Sequence, residues 1–264
     1  MQSFGNVGYP INHSRSPQLN QLIYRYTGYN GCYNLFTVPP EKLEGLIPAM
    51  RVLGIQGVGI AIPYKQEILK YLDTIEPEAE KIGAVNAVKL LPDGSTCGYN
   101  TDYFGFLSLL SRKSVEIEGK KVLICGMSGA GRAVRQALID SGAAEILVAS
   151  TKPEKGIPYS EVKNLPQMDV LVNCTPIGMH PKVDESIVGK EELSRFHTVV
   201  DVVYTPIWTK LCALAEECGL RAYGGMEMLV YQGIKAFTLF TGVEVDDETG
   251  DKICNEMVEL YSVK

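Results

Sequence analysis

The chain of 264 residues is poor in histidine, in positive charge and in long apolar runs, and each shortage removes a class of function. Its 3 histidines, at 13, 180 and 197, have no ligand partner at metal-like spacing, so the sequence points to no structural or catalytic zinc site. No apolar stretch approaches the ~18–20 residues needed to span a bilayer. The start, Met1-Gln-Ser-Phe-Gly-Asn, lacks the basic segment and apolar run of a signal peptide. Lys and Arg number 25 against 31 Asp and Glu, a net charge of −6, with no basic stripe to neutralise phosphates. A nucleic-acid partner and a membrane are therefore not expected. The 7 cysteines are scattered, odd in number and without a CxxC pair, which fits buried thiols in a reducing cytoplasm better than a disulfide framework.

Hydrophobic residues make up 45% of the chain, enough for packed cores. Its length allows one large domain or two smaller ones. Strand signals fall at 3–9, 33–38, 57–62, 84–91 and 96–99, the last two joined by the turn Pro92-Asp-Gly-Ser95. Helical signals fall at 16–26, 40–53, 65–72, 77–81 and 101–111, the first opened by Ser16 as a cap with Pro17 in the first turn. The charged stretch 113–121 reads as a linker. A second alternation follows, with strands at 122–125, 145–150, 170–173, 199–203 and 221–223, and helices at 130–141, 209–218, 226–241 and 247–261. Strands separated by helices imply a parallel sheet. The expected fold class is α/β: an N-terminal α/β substrate domain over 1–111, a Rossmann-like dinucleotide domain over 112–234, and a cleft between them.

Two polar motifs stand out in the first domain: Gly57-Val-Gly-Ile-Ala-Ile-Pro-Tyr-Lys65, and Gly83-Ala-Val-Asn86 followed by Gly98-Tyr-Asn-Thr-Asp102-Tyr-Phe-Gly105. A lysine and an aspartate brought together can hold a substrate hydroxyl, move its proton and stabilise developing charge. Each residue alone has an ordinary explanation, a surface lysine or a turn-forming Asn or Asp. Ser14 and Ser16 can present hydroxyls to a carboxylate, and Ser16 can cap its helix as well.

Val122-Leu-Ile-Cys-Gly126-Met-Ser-Gly-Ala-Gly131-Arg-Ala133 reads as a strand, a glycine-rich turn and a helix, the arrangement of a pyrophosphate site. Glycines also end strands for conformational reasons alone, and Ser128 replaces the middle glycine. The next strand ends in Ala149-Ser-Thr-Lys152 with no carboxylate to hold the 2′-hydroxyl of NAD. That composition leans towards the 2′-phosphate of NADP, although Lys152 reads equally well as a solvated lysine.

The ordered set of motifs resembles the shikimate dehydrogenase family over nearly the whole chain. It comprises Gly8-x-Pro-Ile-x-His-Ser-x-Ser-Pro17, Pro63-x-Lys65, Gly83-Ala-Val-Asn86, Asn100-Thr-Asp102, Asn173-x-Thr-Pro-Ile-Gly-Met179, Asp201-Val-Val-Tyr-x-Pro206 with Thr209, and Gly225-x-x-Met228-Leu-Val-x-Gln232. The resemblance implies NADP-dependent, reversible reduction of 3-dehydroshikimate to shikimate, a step of chorismate and aromatic amino-acid biosynthesis. It implies that Lys65 and Asp102 form the catalytic pair, that Ser14 and Ser16 bind the substrate carboxylate, and that Asn86, Asp102 and Gln232 hold ring hydroxyls. Tyr204 would line the substrate site. Gly126, Met127, Ser128, Gly129 and Ala130 would follow the cofactor pyrophosphate, Thr151 and Lys152 its adenosine ribose, and Val202 and Gly225 its nicotinamide end. The segment 235–264 would return to the first domain. A monomer or a homodimer is compatible with this pattern.

The chain departs from the family's pattern at three places. Gly59-Ile60-Ala61 stands where the family has Asn-Val-Thr, Ser128 stands in the glycine turn, and Ser150 replaces the arginine of Asn-Arg-Thr. These departures keep quinate or another shikimate analogue, and NAD, as alternatives. A dinucleotide-binding regulator without activity is a further one.

Overall fold

Short β-branched and glycine-rich runs alternate with helices from the N-terminus onward, and the computed structural model, which describes residues 1–262, turns them into two separate sheets. One compact unit comprises Met1–Phe104 and Val230–Asn255; the other comprises Gly105–Leu229 and the described residues from Glu256 on.

The first unit contains β1 (Gln2–Gly8), α1 (Ser16–Thr27), β2 (Gly31–Thr37), α2 (Leu46–Leu53), β3 (Ile55–Ile60), β4 (Thr74–Ile75), α3 (Pro77–Ile82), β5 (Ala87–Leu90) and β6 (Thr96–Tyr99), and α4 (Thr101–Arg112) starts within it. The strands form one six-stranded sheet in the order β2-β1-β3-β5-β6-β4. β1 pairs in parallel with β2 and β3, whereas β5 runs antiparallel to both β3 and β6. Asp93 closes the β5–β6 turn by accepting from the Ser95 amide at 2.9 Å and its hydroxyl at 2.6 Å, and Gly94 supplies the positive φ of 84°.

The helical period over 40–53 is broken in two: a 3₁₀ turn spans Pro40–Gly45 and α2 begins afresh at Leu46. One continuous helix would place Pro48 in its interior, where the missing N–H and the ring clash cost about 3 kcal/mol. Restarting at Leu46 puts Pro48 in a first turn, where its N–H has no partner to lose. The helical turn expected over 65–72 is a 3₁₀ turn over Glu67–Tyr71, whereas the strand over 84–91 contracts to β5. β4, two residues long, carries too little pattern to be read from sequence.

Glycine admits the C-terminal chain to this sheet. A Cβ on Gly57 would lie 2.6 Å from the ring of Phe240, which stacks on Phe4 with centroids 5.8 Å apart. Phe240 belongs to the C-terminal part of the first unit, within α8 (Met226–Thr241), which α9 (Asp247–Ser262) follows.

The second unit holds β7 (Lys121–Cys125), α5 (Gly129–Asp140), β8 (Glu145–Ala149), β9 (Val170–Asn173), α6 (Lys190–Leu193), β10 (Thr198–Asp201), α7 (Lys210–Glu217) and β11 (Arg221–Tyr223). Its five strands are all parallel, in the order β11-β10-β9-β7-β8. The strand order reverses at β7, whose neighbours are β8 and β9. Doubly wound sheets bind ligands beyond the carboxyl ends of the strands at such a switch point. A core of Leu123, Leu171, Val199, Phe196, Leu193 and Leu211 fixes the sheet.

Beyond β9 and β10 lies a buried polar knot. Asp201 accepts from Asn173 Nδ2 at 2.9 Å, from the Val203 amide at 3.0 Å and from the Thr209 hydroxyl at 2.7 Å. Asn173 Oδ1 accepts from the Thr175 amide and hydroxyl at 3.0 and 2.7 Å. The motif residues Asn173, Thr175, Asp201 and Thr209 thus tie together the loops that follow these strands. Burial, opposed by the three hydrogen bonds, pushes the Asp201 carboxyl up to about 6. A raised native pKa means that the folded chain binds this proton more tightly than the unfolded chain does. Stability therefore falls as pH rises from about 4 to 6, by on the order of 3 kcal/mol from this group. Asp201→Asn keeps the Asn173 and Val203 donors paired on its one oxygen, turns its NH2 towards the Thr209 oxygen and cannot ionise. Urea unfolding at pH 4, 5 and 6 is expected to show this loss in the unsubstituted protein and a flatter profile in the variant.

Candidate active site

Lys65 and Asp102 meet. Lys65 Nζ lies 2.5 Å from Asp102 Oδ2, with the side chains 17% and 9% exposed. Lys65 sits just past β3, anchored by its neighbour: the Tyr64 ring is buried in the core and its hydroxyl donates to the Val38 carbonyl. The Lys65 carbonyl accepts from the Val85 amide at 2.7 Å, which joins this turn to the segment carrying Asn86. Asp102 stands in the first turn of α4, and Asn100 Oδ1 accepts from the Tyr103 amide at 3.2 Å at the start of that helix.

Asn86 links the two motifs. Its Nδ2 donates to Asp102 Oδ1 at 2.9 Å and to Thr101 Oγ1 at 3.0 Å, and reaches Gln232 Oε1 at 3.5 Å. Its Oδ1 accepts from the Thr101 amide at 2.6 Å. Thr101 in turn donates to Gln232 Oε1 at 3.2 Å. Four of the expected site residues, Lys65, Asn86, Asp102 and Gln232, therefore form one network. Sequence reasoning passed over Thr101 as a member; its position between Asn100 and Asp102 was the available signal.

Ser14 and Ser16 form a second polar cluster in the same unit. Both are buried, and the Ser14 hydroxyl donates to Ser16 Oγ at 3.1 Å. The expected cap on α1 is not made. Ser16 lies one residue inside the helix, Arg15 holds the cap position without a side-chain cap bond, and the Ser16 amide donates to Ser14 Oγ at 3.3 Å. The Ser16 hydroxyl is taken up instead by Ser14 and by Asn6, whose Nδ2 donates to Ser14 Oγ at 3.2 Å and to Ser16 Oγ at 3.1 Å. Asn6 and Tyr33, the latter hydrogen-bonded to Ser16, were not singled out from sequence.

Tyr204 belongs to the second unit, half-buried in the loop after β10. The glycine turn lies in that unit too, at the β7/β9 switch point. Gly126 has φ 92°, and a Cβ there would lie 2.7 Å from Thr175 Cγ2. A Cβ on Gly131 would lie 2.3 Å from the Gly126 carbonyl oxygen, so α5 can pack this tightly only with glycine at that position. Ser128 occupies the N-cap of α5 in extended backbone, φ −79°, a conformation open to any residue, and its side chain takes none of the first-turn amides. Those amides have no partner within the helix and, with the helix dipole, suit a pyrophosphate. The cradle around Met127, Gly129 and Ala130 therefore fits a dinucleotide despite the missing glycine.

Beyond β8, Ser150 is buried and accepts from the Lys152 amide at 3.1 Å, while Thr151 and Lys152 are exposed. Gly225 packs against Val202 so closely that a Cβ would lie 2.2 Å from the Val202 carbonyl oxygen.

Asp102 is flanked by donors on both oxygens, Lys65 Nζ on one and Asn86 Nδ2 on the other. An amide in its place can satisfy only one of them. A double-mutant cycle with Lys65→Met and Asp102→Asn, read by urea unfolding, is expected to give a coupling of about 1–3 kcal/mol. Additive effects would mean that the two charges do not sense each other.

Comparison with known proteins places this geometry in a family. Residues 7–88 match the shikimate dehydrogenase substrate binding domain, and residues 225–249 match the shikimate 5′-dehydrogenase C-terminal domain. The chain is 35% identical to a shikimate dehydrogenase (NADP(+)) of Clostridium perfringens over 97% of its own length and 98% of that protein. The crystal structure of shikimate dehydrogenase 1 from Peptoclostridium difficile superposes with a TM-score of 0.93 at 36% identity, covering 100% of both chains. That of shikimate 5-dehydrogenase from Thermus thermophilus, in complex with NADP(H) and shikimate, does so with a TM-score of 0.87 at 31% identity, covering 97% of this chain and 99% of the other. With such identity sustained along the whole chain, the protein belongs to the shikimate dehydrogenase family.

Proposed function

We propose that this protein is an NADP-dependent shikimate dehydrogenase that interconverts 3-dehydroshikimate and shikimate in the supply of chorismate for aromatic amino acids. The observation that carries the reading, beyond family membership, is the Lys65–Asp102 pair held in one network with Asn86, Thr101 and Gln232. Bound NADPH supplies the hydride, and the cradle of Gly126, Met127, Ser128, Gly129 and Ala130 would hold its pyrophosphate. Thr151 and Lys152 would meet the phosphorylated ribose, and Val202 and Gly225 the nicotinamide end.

Reduction adds one hydride to the ring carbonyl carbon and one proton to its oxygen. Lys65 delivers the proton. An ammonium has three N–H donors, and Asp102 Oδ2 engages one, which leaves the others for the ketone oxygen as negative charge gathers there. Asp102 holds the ammonium in place and accepts from a neighbouring ring hydroxyl. Asn86 and Gln232 bind ring hydroxyls, and the 3.5 Å approach between them is the loosest link of the network, the one a ligand oxygen replaces most readily. Ser14 and Ser16 take the carboxylate near the N-terminus of α1, where the helix dipole favours an anion. In the oxidative direction the same groups run in reverse, with the proton of the hydroxyl passing to Lys65.

This acid–base arrangement favours an enzyme over a dinucleotide-binding regulator, which has no use for it. Ala61 and Gly59 bear on quinate as the alternative substrate, because both lack the polar side chains of the family's pattern at those places. Initial oxidation rates for shikimate and quinate, each with NADP and NAD, are expected to be highest for shikimate with NADP. Activity on neither acid overturns the assignment. Lys65→Ala is expected to lower kcat by roughly 10²–10⁴-fold while cofactor affinity changes little.

A further inference from the structure

Asn6 is a polar side chain between Phe4 and Val7 of the central strand β1, directly opposite Gly59 in the parallel β1–β3 ladder. The two positions share one face of the sheet. A Cβ on Gly59 would lie 2.8 Å from Asn6 Oδ1 and 3.3 Å from the Tyr33 hydroxyl. Asn6 can therefore take up its conformation only because position 59 has no side chain. From there its amide reaches both serine hydroxyls, at 3.2 and 3.1 Å.

We propose that Asn6, made possible by Gly59, is a specificity-determining residue that sets the serine pair to receive a carboxylate; the inference rests on the shikimate reading of this same site. An amide N–H can only donate. Because Nδ2 donates to both Oγ atoms, neither serine can point its own hydrogen at Asn6, and both hydroxyls must donate elsewhere. Without ligand, the Ser14 hydrogen turns to Ser16. A bound carboxylate offers a better acceptor, and both hydroxyls then donate to it. The amide missing at position 59 of the family's pattern is thus delivered from the neighbouring strand, which offsets a loss that the sequence alone presents as a bare deletion.

The test uses calorimetric binding of shikimate and of its uncharged methyl ester, together with KM and kcat for the acid. In Asn6→Asp, of equal size, the serines donate inward and a carboxylate faces the ligand's charge. Shikimate affinity is expected to fall by about 100-fold or more, the ester much less, and kcat at saturation by no more than about threefold. Asn6→Val removes the polarising donor, and a loss of about tenfold in KM is expected. Gly59→Asn alone collides with Asn6 and loses affinity, whereas Asn6→Val combined with Gly59→Asn regains most of it, which keeps the test open should a single variant fold poorly. Unchanged shikimate affinity in Asn6→Asp, or equal losses for acid and ester, overturns the proposal. Binding without turnover in the unsubstituted enzyme overturns the dehydrogenase reading and leaves the role of Asn6 readable from acid against ester. Failure to bind either ligand overturns both.

Discussion

An ammonium and a carboxylate drawn out of water to within 2.5 Å of each other constrain everything around them. Taking such a pair from solvent costs several kcal/mol per ion, and their attraction recovers the cost only when the remaining lone pairs are also satisfied. Asn86 supplies that satisfaction on the second carboxylate oxygen, and Thr101 and Gln232 fix Asn86 in turn. A hydrophobic pair of similar volume would stabilise the fold as well or better, so stability does not account for the pair. The proton transfer to a ring oxygen that we propose for it does.

The backbone around the pair is shaped to deliver it. The Lys65 turn and the Asn86 segment are bound to each other through the Val85 amide, and the Asn86 carbonyl accepts from the Ile60 amide at 2.7 Å. Backbone hydrogen bonds therefore join strand β3, the Lys65 turn and the segment leading into β5, so that Lys65 and Asn86 flank paired strands while Asp102 and Gln232 stand on helices. Such placement restrains a site to within the fraction of an ångström that proton transfer requires.

Much of this was legible in the sequence because it lies in short motifs whose residue types allow few alternatives. The strand–turn–helix at Val122–Ala133, the β5–β6 hairpin at Pro92–Ser95 and the meeting of Lys65 with Asp102 each follow from local chemistry or an ordered pattern. What escaped reading depended on tertiary context. Pro48 breaks a helix that periodicity alone draws as continuous. Ser16 carries the residue type of a cap but spends its hydroxyl on Ser14 and Asn6, partners 2 and 10 residues away in sequence. β4 is held by its parallel pairing with β6, which no local pattern announces. Asn6 stands out only once its register with Gly59 is known.

The two buried aspartates show how one residue type serves two purposes. Asp201 meets only neutral donors, from Asn173, Val203 and Thr209, and its carboxyl is pushed up to about 6, so its charge is the weak point of a knot that exists to hold loops. Asp102 meets an ammonium, and its charge is the reason for its position. Both stand in equally compact motifs, and residue type alone does not separate them. The separation comes from the partner across the hydrogen bond. Neutral donors on a buried carboxylate mark a structural joint, whereas a cation that still has donors to spare marks a place where a substrate oxygen can enter.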